Sequence, residues 1–289
     1  MNVYEIVTGK LIAALERGTA PWRRPWRGAD GAPRNIVSRR EYRGINALLL
    51  GMAGYSSPTW GTIKQINAAG GRVKRGERST LVVFFKKLDV ERENADGETV
   101  TRKAAMLRYY LVFNVDQCEG LKLEPTTAAS AAPEPVAAGE AVIAAMPNPP
   151  MVREGPRACY SPAFDRVELP ARAQFHSATG YYATLFHELA HATGHTSRLN
   201  RPGITGAAAF GSGTYSREEL VAEMGAAFVM AAAGLEDDTE QHAAYLKSWI
   251  AALRGDARLA VTAAGQAQKA ADYILNRPNI TGQSAGQGA

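Results

Sequence analysis

Apolar residues follow a helical period at the start of the chain. From Asn2 to Arg17 they recur every three or four positions, which predicts an amphipathic helix, and Gly18 is a natural stop for that helix. Shorter runs of the same kind predict helices at 45–50 and 62–69. The first part of the chain is therefore expected to be largely helical.

Two later segments have the composition of β-strands. Residues 80–85 and 106–115 are rich in valine, leucine and aromatic side chains, and the polar stretch 89–98 between them contains the turn dipeptide Asp96-Gly97. This pattern predicts a β-hairpin. Together with the preceding helices, the hairpin predicts a small α+β domain over residues 1–122.

The rest of the chain is predicted to be mainly helical around one short hairpin. Residues 123–150 are rich in alanine and proline, which indicates a linker that ends in a short helix at 140–145. A second domain is expected over residues 151–289. Its predicted strands are 158–161 and 166–169, and its predicted helices are 181–194, 216–228, 241–253 and 257–275.

Polar residues interrupt the apolar surface of the helix predicted at 181–194, in the sequence HELAH. His187 and His191 are four positions apart, so they share a helical face with Cβ atoms about 5–6 Å apart. That spacing lets both imidazoles bind one zinc ion, and the Glu188 carboxylate beside them can take a proton from the attacking water. This HExxH arrangement is typical of zinc metallopeptidases. The alternative is a surface helix with solvated side chains, which the flanking apolar residues disfavour.

A catalytic zinc site has three protein ligands, so a third donor must come from elsewhere in the chain. The helix predicted at 216–228 offers two glutamates. Glu219 can form a capping box with Ser216, whereas Glu223 lies one turn further along an apolar face. Because a carboxylate on such a face should be paired or bound to a cation, Glu223 is the first choice for the third ligand and Glu219 the second. The predicted ligand set is gluzincin-like.

Composition changes this interpretation little. The chain has 289 residues, 46% hydrophobic and 21% charged, which suits a globular protein long enough for two domains. Apolar runs of about eighteen residues are absent, and the first helix lacks the layout of a secretion signal. The two cysteines do not make a disulfide framework. A cytoplasmic protein without a membrane partner is expected.

Positive charge is concentrated in the first part of the chain. Residues 1–122 contain 21 lysines and arginines against 12 acids, a net charge of +9, while the remainder carries −4 of the overall +5. A basic N-terminal half joined to an acidic catalytic half suggests that the first half binds a polyanion.

Aromatic residues are interleaved with arginines in residues 17–43, which hold eight arginines and two acids. Guanidinium groups bind phosphates, and flat rings stack on unpaired bases at about 1–3 kcal/mol per base, so the mixture favours single-stranded DNA. Alternatively, the tryptophans are core residues and the arginines a solvated rim. The candidate DNA-binding residues, with those of a second basic turn, are Trp22, Arg23, Arg24, Trp26, Arg27, Arg39, Arg40, Tyr42, Arg43, Lys74 and Arg75.

Several segments together resemble the ArdC-type antirestriction proteins. They are PWRRPW at 21–26, YRGIN at 42–46, KRGE at 74–77, TLFHELAHATGH at 184–195 and EELVAE at 218–223. The family pattern commonly has tryptophan where this chain has Ala192. The resemblance implies an N-terminal single-stranded-DNA-binding domain and a C-terminal zincin-like domain similar to Spartan-type DNA–protein crosslink proteases. It also implies carriage on a conjugative plasmid or another mobile element.

The predicted function is antirestriction, in which incoming mobile-element DNA is protected from host restriction. The predicted cofactor is Zn²⁺, or another divalent metal such as Mn²⁺, and the predicted partner is single-stranded DNA. The protein substrate is left open, with DNA-bound host proteins as one candidate. Two alternatives remain: a non-proteolytic DNA-binding protein with a structural or vestigial metal site, and a plain peptidase whose basic half binds acidic proteins.

Overall fold

The structure is a computed structural model that describes residues 2–18, 20–22, 31–93, 99–122, 134–206, 213–236 and 243–278. For residues 87–93, 99–105, 213 and 243–245 it describes the backbone alone. The helices are α1 Val3–Glu16, α2 Ile45–Gly51, α3 Ile63–Ala68, α4 Pro135–Ala145, α5 Ala178–Ala192, α6 Pro202–Thr205, α7 Gly213–Ala233, α8 Ala243–Gly255 and α9 Leu259–Ile274. The strands are β1 Arg34–Asn35, β2 Thr59–Gly61, β3 Arg72–Val73, β4 Thr80–Glu93, β5 Thr99–Asn114, β6 Cys118–Glu119, β7 Met151–Glu154, β8 Cys159–Ser161 and β9 Arg166–Leu169.

A capping box starts the first helix where the sequence predicts it. The Asn2 side chain accepts a hydrogen bond from the N–H of Glu5 at 3.0 Å, and the Glu5 carboxylate accepts one from the N–H of Asn2 at 2.8 Å. The helix ends just before Gly18, whose φ of +78° lies in the left-handed region that favours glycine. The predicted bounds of α1 are confirmed.

The N-terminal half is built around a sheet with the strand order β1-β2-β5-β4. Strands β1 and β2 are parallel, β2 and β5 are antiparallel, and β4 and β5 form the predicted hairpin. The hairpin strands are longer than predicted, since they extend to Glu93 and start again at Thr99. The predicted turn at Asp96-Gly97 lies outside the described residues. β3 and β6 form a separate antiparallel pair.

The C-terminal half surrounds a short sheet with the order β7-β9-β8. The predicted hairpin is present, with β8 and β9 antiparallel. Strand β7, parallel to β9, is absent from the sequence-based prediction because its residues, MVRE, are all exposed and show no alternation. Helix α5 lies against β8 and β9 and packs on α7 and α9. None of the helices in the described part of the chain combines the length and apolarity needed to cross a membrane.

The segment predicted as a linker is partly helical. Helix α4 begins at Pro135, and the Glu134 carboxylate caps it by accepting hydrogen bonds from two backbone N–H groups. Gly139 packs directly against the ring of Tyr182 on α5, leaving no room for a Cβ. The end of the predicted linker is therefore anchored on the C-terminal core. The rest of it, residues 123–133, lies outside the described residues.

One hydrophobic core joins the two halves. Helix α1 packs on α8 and α9, and a continuous buried cluster extends from Leu11 of α1 to Phe186 of α5. Across this contact, the hydroxyl of Thr8 donates to the carbonyl of Ala257 at 2.7 Å. The domain boundaries at 122 and 150 stay a prediction, but tertiary packing ties the N-terminal half to the C-terminal helices.

Candidate metal centre

Helix α5 places the two histidines of HELAH beside each other. The helix begins at a cap formed by Ser177, whose hydroxyl accepts a hydrogen bond from the N–H of Gly180 at 2.9 Å, and it continues to Ala192. The Nε2 atoms of His187 and His191 lie 3.1 Å apart. Two imidazole nitrogens therefore converge on one point at the side of α5.

Helix α7 brings a carboxylate to the same point. The Glu219 oxygens lie 3.5 Å from Nε2 of His187 and 3.4 Å from Nε2 of His191. Within the described part of the chain, this is the one group of histidine, cysteine or carboxylate side chains close enough to share an ion. Two imidazoles and one carboxylate are the donor set of many catalytic zinc sites, and they also suit other divalent cations. The residues present fit a divalent metal.

The structure corrects the order of the two candidate glutamates. Glu223, the first choice, lies near the other nitrogen of the His187 ring, with Oε1 3.7 Å from Nδ1. The two glutamates are one helical turn apart on α7, so their carboxylates reach different points along α5. It is Glu219, the second choice, that meets both Nε2 atoms.

The sequence-based prediction chose Glu223 over Glu219 because it placed the start of α7 too late in the chain. The sequence-based prediction treated Ser216 as an N-cap and Glu219 as its partner in a capping box. In the structure α7 begins at Gly213, so Ser216 is already inside the helix, and its hydroxyl lies 3.0 Å from that of Ser248 on α8. Glu219 is thus not needed for capping, and it is buried against α5.

A buried ion pair lies on the Nδ1 side of the His191 ring. The Arg201 guanidinium donates to Oε1 of Glu218 at 2.5 Å, and that same oxygen lies 3.6 Å from Nδ1 of His191. Arg201 also donates to the hydroxyl of Thr193 at 2.6 Å and to the carbonyl of Ala190 at 2.7 Å. A carboxylate that accepts a hydrogen bond from Nδ1 fixes the tautomer and orientation of a metal-binding imidazole, and Glu218 lies just beyond hydrogen-bond length from His191. Each histidine therefore has a second glutamate facing its Nδ1 atom.

Arg201 and Glu218 are functional candidates that the sequence analysis missed. Glu218 looks like an exposed charge in a first helical turn, and Arg201 lies in a loop without periodicity. Gly194 is the available signal, because a Cβ there would lie 2.5 Å from Cγ1 of Ile204 and 3.1 Å from Nη2 of Arg201. The glycine lets the loop after α5 fold back closely enough to deliver Arg201.

The electrostatics of the centre favour positive charge. Burial lowers the pKa of His191, but the Glu218 and Glu219 carboxylates outweigh it and raise this pKa to about 10. Burial likewise lowers the pKa of His187, and Glu219 above all reverses this, so that the pKa is raised. Although burial alone would raise the pKa of Glu219, the two histidines hold it far below its usual range. A site that stabilises protons on its imidazoles can stabilise a divalent cation in their place.

Comparison with known proteins covers both halves of the chain. The family described as the N-terminal domain of anti-restriction factor ArdC matches residues 1–113, and the family described as zincin-like metallopeptidase matches residues 138–266. The metal-free crystal structure of antirestriction ArdC protein from the R388 plasmid superposes with a TM-score of 0.74 at 39% identity, covering 95% of this chain and 97% of that one. The chain belongs to the ArdC family.

Further relatives agree with this membership. The Mn(II)-bound form of R388 ArdC has a TM-score of 0.76 at 39% identity, covering 96% of this chain and 98% of that one. The uncharacterized protein y4eC of Sinorhizobium fredii is 36% identical, over 94% of this chain and 91% of its own length. Two DNA primase TraC proteins of Escherichia coli are 38% and 39% identical, and there the chain spans only 27% and 20% of their length.

These comparisons confirm three predictions. The resemblance to the ArdC family is correct. The fold class is also correct: α+β, with an N-terminal ArdC domain and a C-terminal zincin-like domain. The predicted cofactor, Zn²⁺ or another divalent metal, agrees with the zincin-like match, with the Mn(II) in the R388 relative and with the donor set around Glu219.

The predicted DNA-binding residues fall into three structural groups. Those outside the described residues are Arg23, Arg24, Trp26 and Arg27. Those that are exposed are Arg39, Arg40, Lys74 and Arg75. Those that pack within the molecule are Trp22, Tyr42 and Arg43. The exposed cations stay candidates for phosphate contacts in this ArdC-family chain.

The packed residues call for a correction. Trp22 is only 3% exposed, and its ring meets Trp249 of α8 edge-on, with centroids 5.2 Å apart. Arg43 forms an ion pair with Asp272 of α9, and the Tyr42 hydroxyl accepts a hydrogen bond from Asn35 at 3.2 Å. Trp22 therefore has no free face for a base. It joins the two halves of the ArdC fold, as the alternative interpretation of the tryptophans proposed.

Proposed function

We propose that this member of the ArdC family is an antirestriction protein that combines single-stranded DNA binding with divalent-metal-dependent proteolysis. The observation that carries the enzymatic half is the convergence of His187, His191 and Glu219 in a zincin-like domain. By analogy with the antirestriction proteins it resembles, it would protect incoming mobile-element DNA from host restriction.

Each side chain of the centre has a role in this proposal. His187, His191 and Glu219 hold the cation, while Glu218 and Glu223 orient the two imidazoles through their Nδ1 atoms. When bound, the cation supplies a Lewis acid that polarises the peptide carbonyl and makes water more acidic. Glu188, buried next to His187, takes the proton from the attacking water and passes it to the leaving amine.

Replacing the proposed general base tests the proteolytic half. Glu188→Gln keeps the shape of the side chain but removes its basicity, so metal binding should persist while peptide hydrolysis falls by about 100-fold or more. Plasmid transfer into a restricting host, relative to a non-restricting host, measures protection. Glu154→Gln, an exposed carboxylate on β7, is the matched control.

The outcome distinguishes the proposal from its non-proteolytic alternative. Protection should disappear with Glu188→Gln and survive Glu154→Gln. Undiminished protection by Glu188→Gln would mean that DNA coverage suffices and that the metal site is structural or vestigial. Cleavage of DNA-bound proteins, followed by mass spectrometry with and without single-stranded DNA, would identify the class of protein substrate.

Charge supports the DNA-binding half. The first 122 residues carry a net charge of +9, and Arg39, Arg40, Lys74 and Arg75 are exposed there. Fluorescence anisotropy with single- and double-stranded oligonucleotides over a range of salt concentrations tests this half. Tight, salt-dependent binding of the single strand is expected. Preference for acidic proteins over DNA would favour the plain peptidase instead.

A further inference from the structure

The β4–β5 hairpin presents aromatic and basic side chains on one of its faces. Val82 lies opposite Tyr110, Phe84 opposite Arg108, and Lys86 opposite Met106. Because directly opposed residues share a face and alternate residues along a strand do too, these positions form one row. We call its outer five members, Phe84, Lys86, Met106, Arg108 and Tyr110, the Tyr110 face.

The Tyr110 face continues from a buried end of the hairpin to an exposed end. At its base Val82 and Val112 are buried with Leu50 and Trp60. Further out, Tyr110 is 42% exposed, and Lys86, Met106 and Arg108 are exposed as well. A rigid buried base thus supports a solvent-facing surface of large side chains.

Two of these side chains stack on each other, so each has one ring face covered by its neighbour, and we call this pair the aromatic platform. The rings of Phe84 and Tyr110 stack with their centroids 4.4 Å apart and their planes within 9° of parallel. Arg108 lies directly across from Phe84, and Lys86 is the next residue of the row on β4. The hairpin segments with described side chains, 80–86 and 106–114, contain no aspartate or glutamate. The charge of the platform is therefore positive.

The opposite face provides a contrast. It consists of Leu81, Val83, Phe85, Leu107, Tyr109 and Leu111, in which no side chain is charged. Tyr109 is 49% exposed, much as Tyr110 is. Exposed apolar area is thus present on both faces, but stacked rings together with cations are found on the Tyr110 face. Such a combination suits a ligand that is flat and anionic at once.

We propose that the Tyr110 face binds single-stranded nucleic acid, with bases stacked on Tyr110 and Phe84 and phosphates contacted by Arg108 and Lys86. Paired bases hide their faces inside a duplex, so only unpaired bases can use the platform. This inference rests on the proposed DNA-binding function and assigns its stacking surface to the hairpin rather than to Trp22.

Ring-specific substitutions in the full-length protein test the proposal. Anisotropy of a fluorescein-labelled oligothymidine of about 20 nucleotides is measured for the unchanged protein, Tyr110→Leu and Tyr110→Phe, with Tyr109→Leu as the matched control. Tyr110→Leu keeps apolar area but loses the aromatic face, so binding should weaken about tenfold. Tyr110→Phe and Tyr109→Leu should both stay within about twofold of the unchanged protein.

The salt dependence tests the phosphate contacts separately. Arg108→Gln should lower the magnitude of the slope of log K against log salt by about 0.7, the value for one phosphate contact to a single strand. An unchanged slope would overturn the assignment of Arg108. Thermal unfolding followed by circular dichroism checks that the variants keep the fold, which the exposure of both residues favours.

Several outcomes would overturn the inference, and each is distinguishable. If the unchanged protein binds the oligonucleotide and Tyr110→Leu binds equally well, the platform is elsewhere. If Tyr110→Leu and Tyr109→Leu lose affinity equally, the loss does not come from stacking on this face. If Tyr110→Leu instead dissociates a dimer in size-exclusion chromatography with unchanged DNA affinity, the face binds a second copy. Failure of the unchanged protein to bind any single strand refutes the proposed DNA-binding function itself.

Discussion

The metal centre and the Tyr110 face differ in which side chains they bury and which they expose. At the centre, helices α5 and α7 bury histidines and glutamates, and each charge faces another inside the protein. On the hairpin, Tyr110 and two cations are exposed to solvent, and the stacked ring of Phe84 is half-buried. Burying a charge is costly unless it is paired, and exposing a large apolar surface commonly marks a binding region. The centre is built around internal partners, whereas the hairpin is shaped for an external one.

The contrast leads to different expectations for substitutions. A change at the centre should alter metal affinity, stability or both, because its groups depend on one another. A change on the Tyr110 face should alter nucleic-acid affinity with little effect on stability.

Metal affinity should separate the two glutamates of α7. Glu219→Ala removes a proposed ligand and should weaken binding of Zn²⁺ or Mn²⁺ by more than about 100-fold. Glu223→Ala removes a carboxylate that faces Nδ1 of His187, and its effect should be nearer tenfold, since partners behind a ligand contribute about 10–100-fold. Isothermal titration calorimetry measures both. A larger loss with Glu223→Ala would restore the original sequence-based choice.

Breaking the ion pair behind His191 should destabilise the fold. Arg201→Met removes the guanidinium that donates to buried Glu218 and leaves this carboxylate with His191 as its remaining cation, at a cost of about 3 kcal/mol in the free energy of unfolding. The double variant Arg201→Met, Glu218→Gln removes the buried charge of this carboxylate as well and should recover part of that loss. Urea unfolding of the metal-free protein gives the values. Equal stability of Arg201→Met and the unchanged protein would contradict the role of this pair.

Trp22 and Tyr110 should behave in opposite ways. Trp22→Ala removes a buried ring that packs on Trp249 and should lower the free energy of unfolding by about 3 kcal/mol, while the folded protein keeps its affinity for single-stranded DNA. Tyr110→Leu should change stability by less than about 0.5 kcal/mol. Denaturant unfolding and anisotropy on the same samples compare them. Loss of DNA affinity in folded Trp22→Ala would return that residue to the candidate interface.

The smallest effect concerns acid stability at the hairpin behind α5. Burial raises the pKa of Asp165, but Arg198, which donates to both its oxygens, and Tyr160 bring it below its usual range. Asp165 thus binds its proton less readily in the folded state, so its stabilising contribution is full above about pH 4 and is lost as the pH falls through the lowered pKa.

The lowered pKa of Asp165 predicts a pH-dependent difference in melting temperature between the unchanged protein and a variant without this carboxylate. The melting temperature of the unchanged protein should exceed that of Asp165→Asn by about 2 °C at pH 6, and the gap should shrink towards pH 3. Differential scanning fluorimetry across this range measures it. A gap that widens on acidification would contradict the lowered pKa.

Many of the helices and strands could be predicted from the spacing of residues along the chain. The periods of apolar residues located α1, α2, α5, α9 and the two hairpins, because each depends on neighbours within a few positions. The HELAH sequence located the centre for the same reason, since four residues of helix suffice to bring His187 and His191 together. That sequence also predicted the divalent metal, and the family resemblance added the N-terminal ArdC domain; the comparisons confirm both.

The choice between Glu219 and Glu223 needed the tertiary structure. Both are buried-face candidates on one helix, and what decides between them is where α7 meets α5, a distance set by side chains that are far apart in sequence. Arg201 reaches His191 only because the loop folds back at Gly194, and Phe84 meets Tyr110 only through the register of β4 and β5. Sequence alone determined which residues are able to bind a metal or a base, since that is a property of each side chain and its neighbours. Packing between segments that are distant in sequence decided which of these residues lie close enough to form one site.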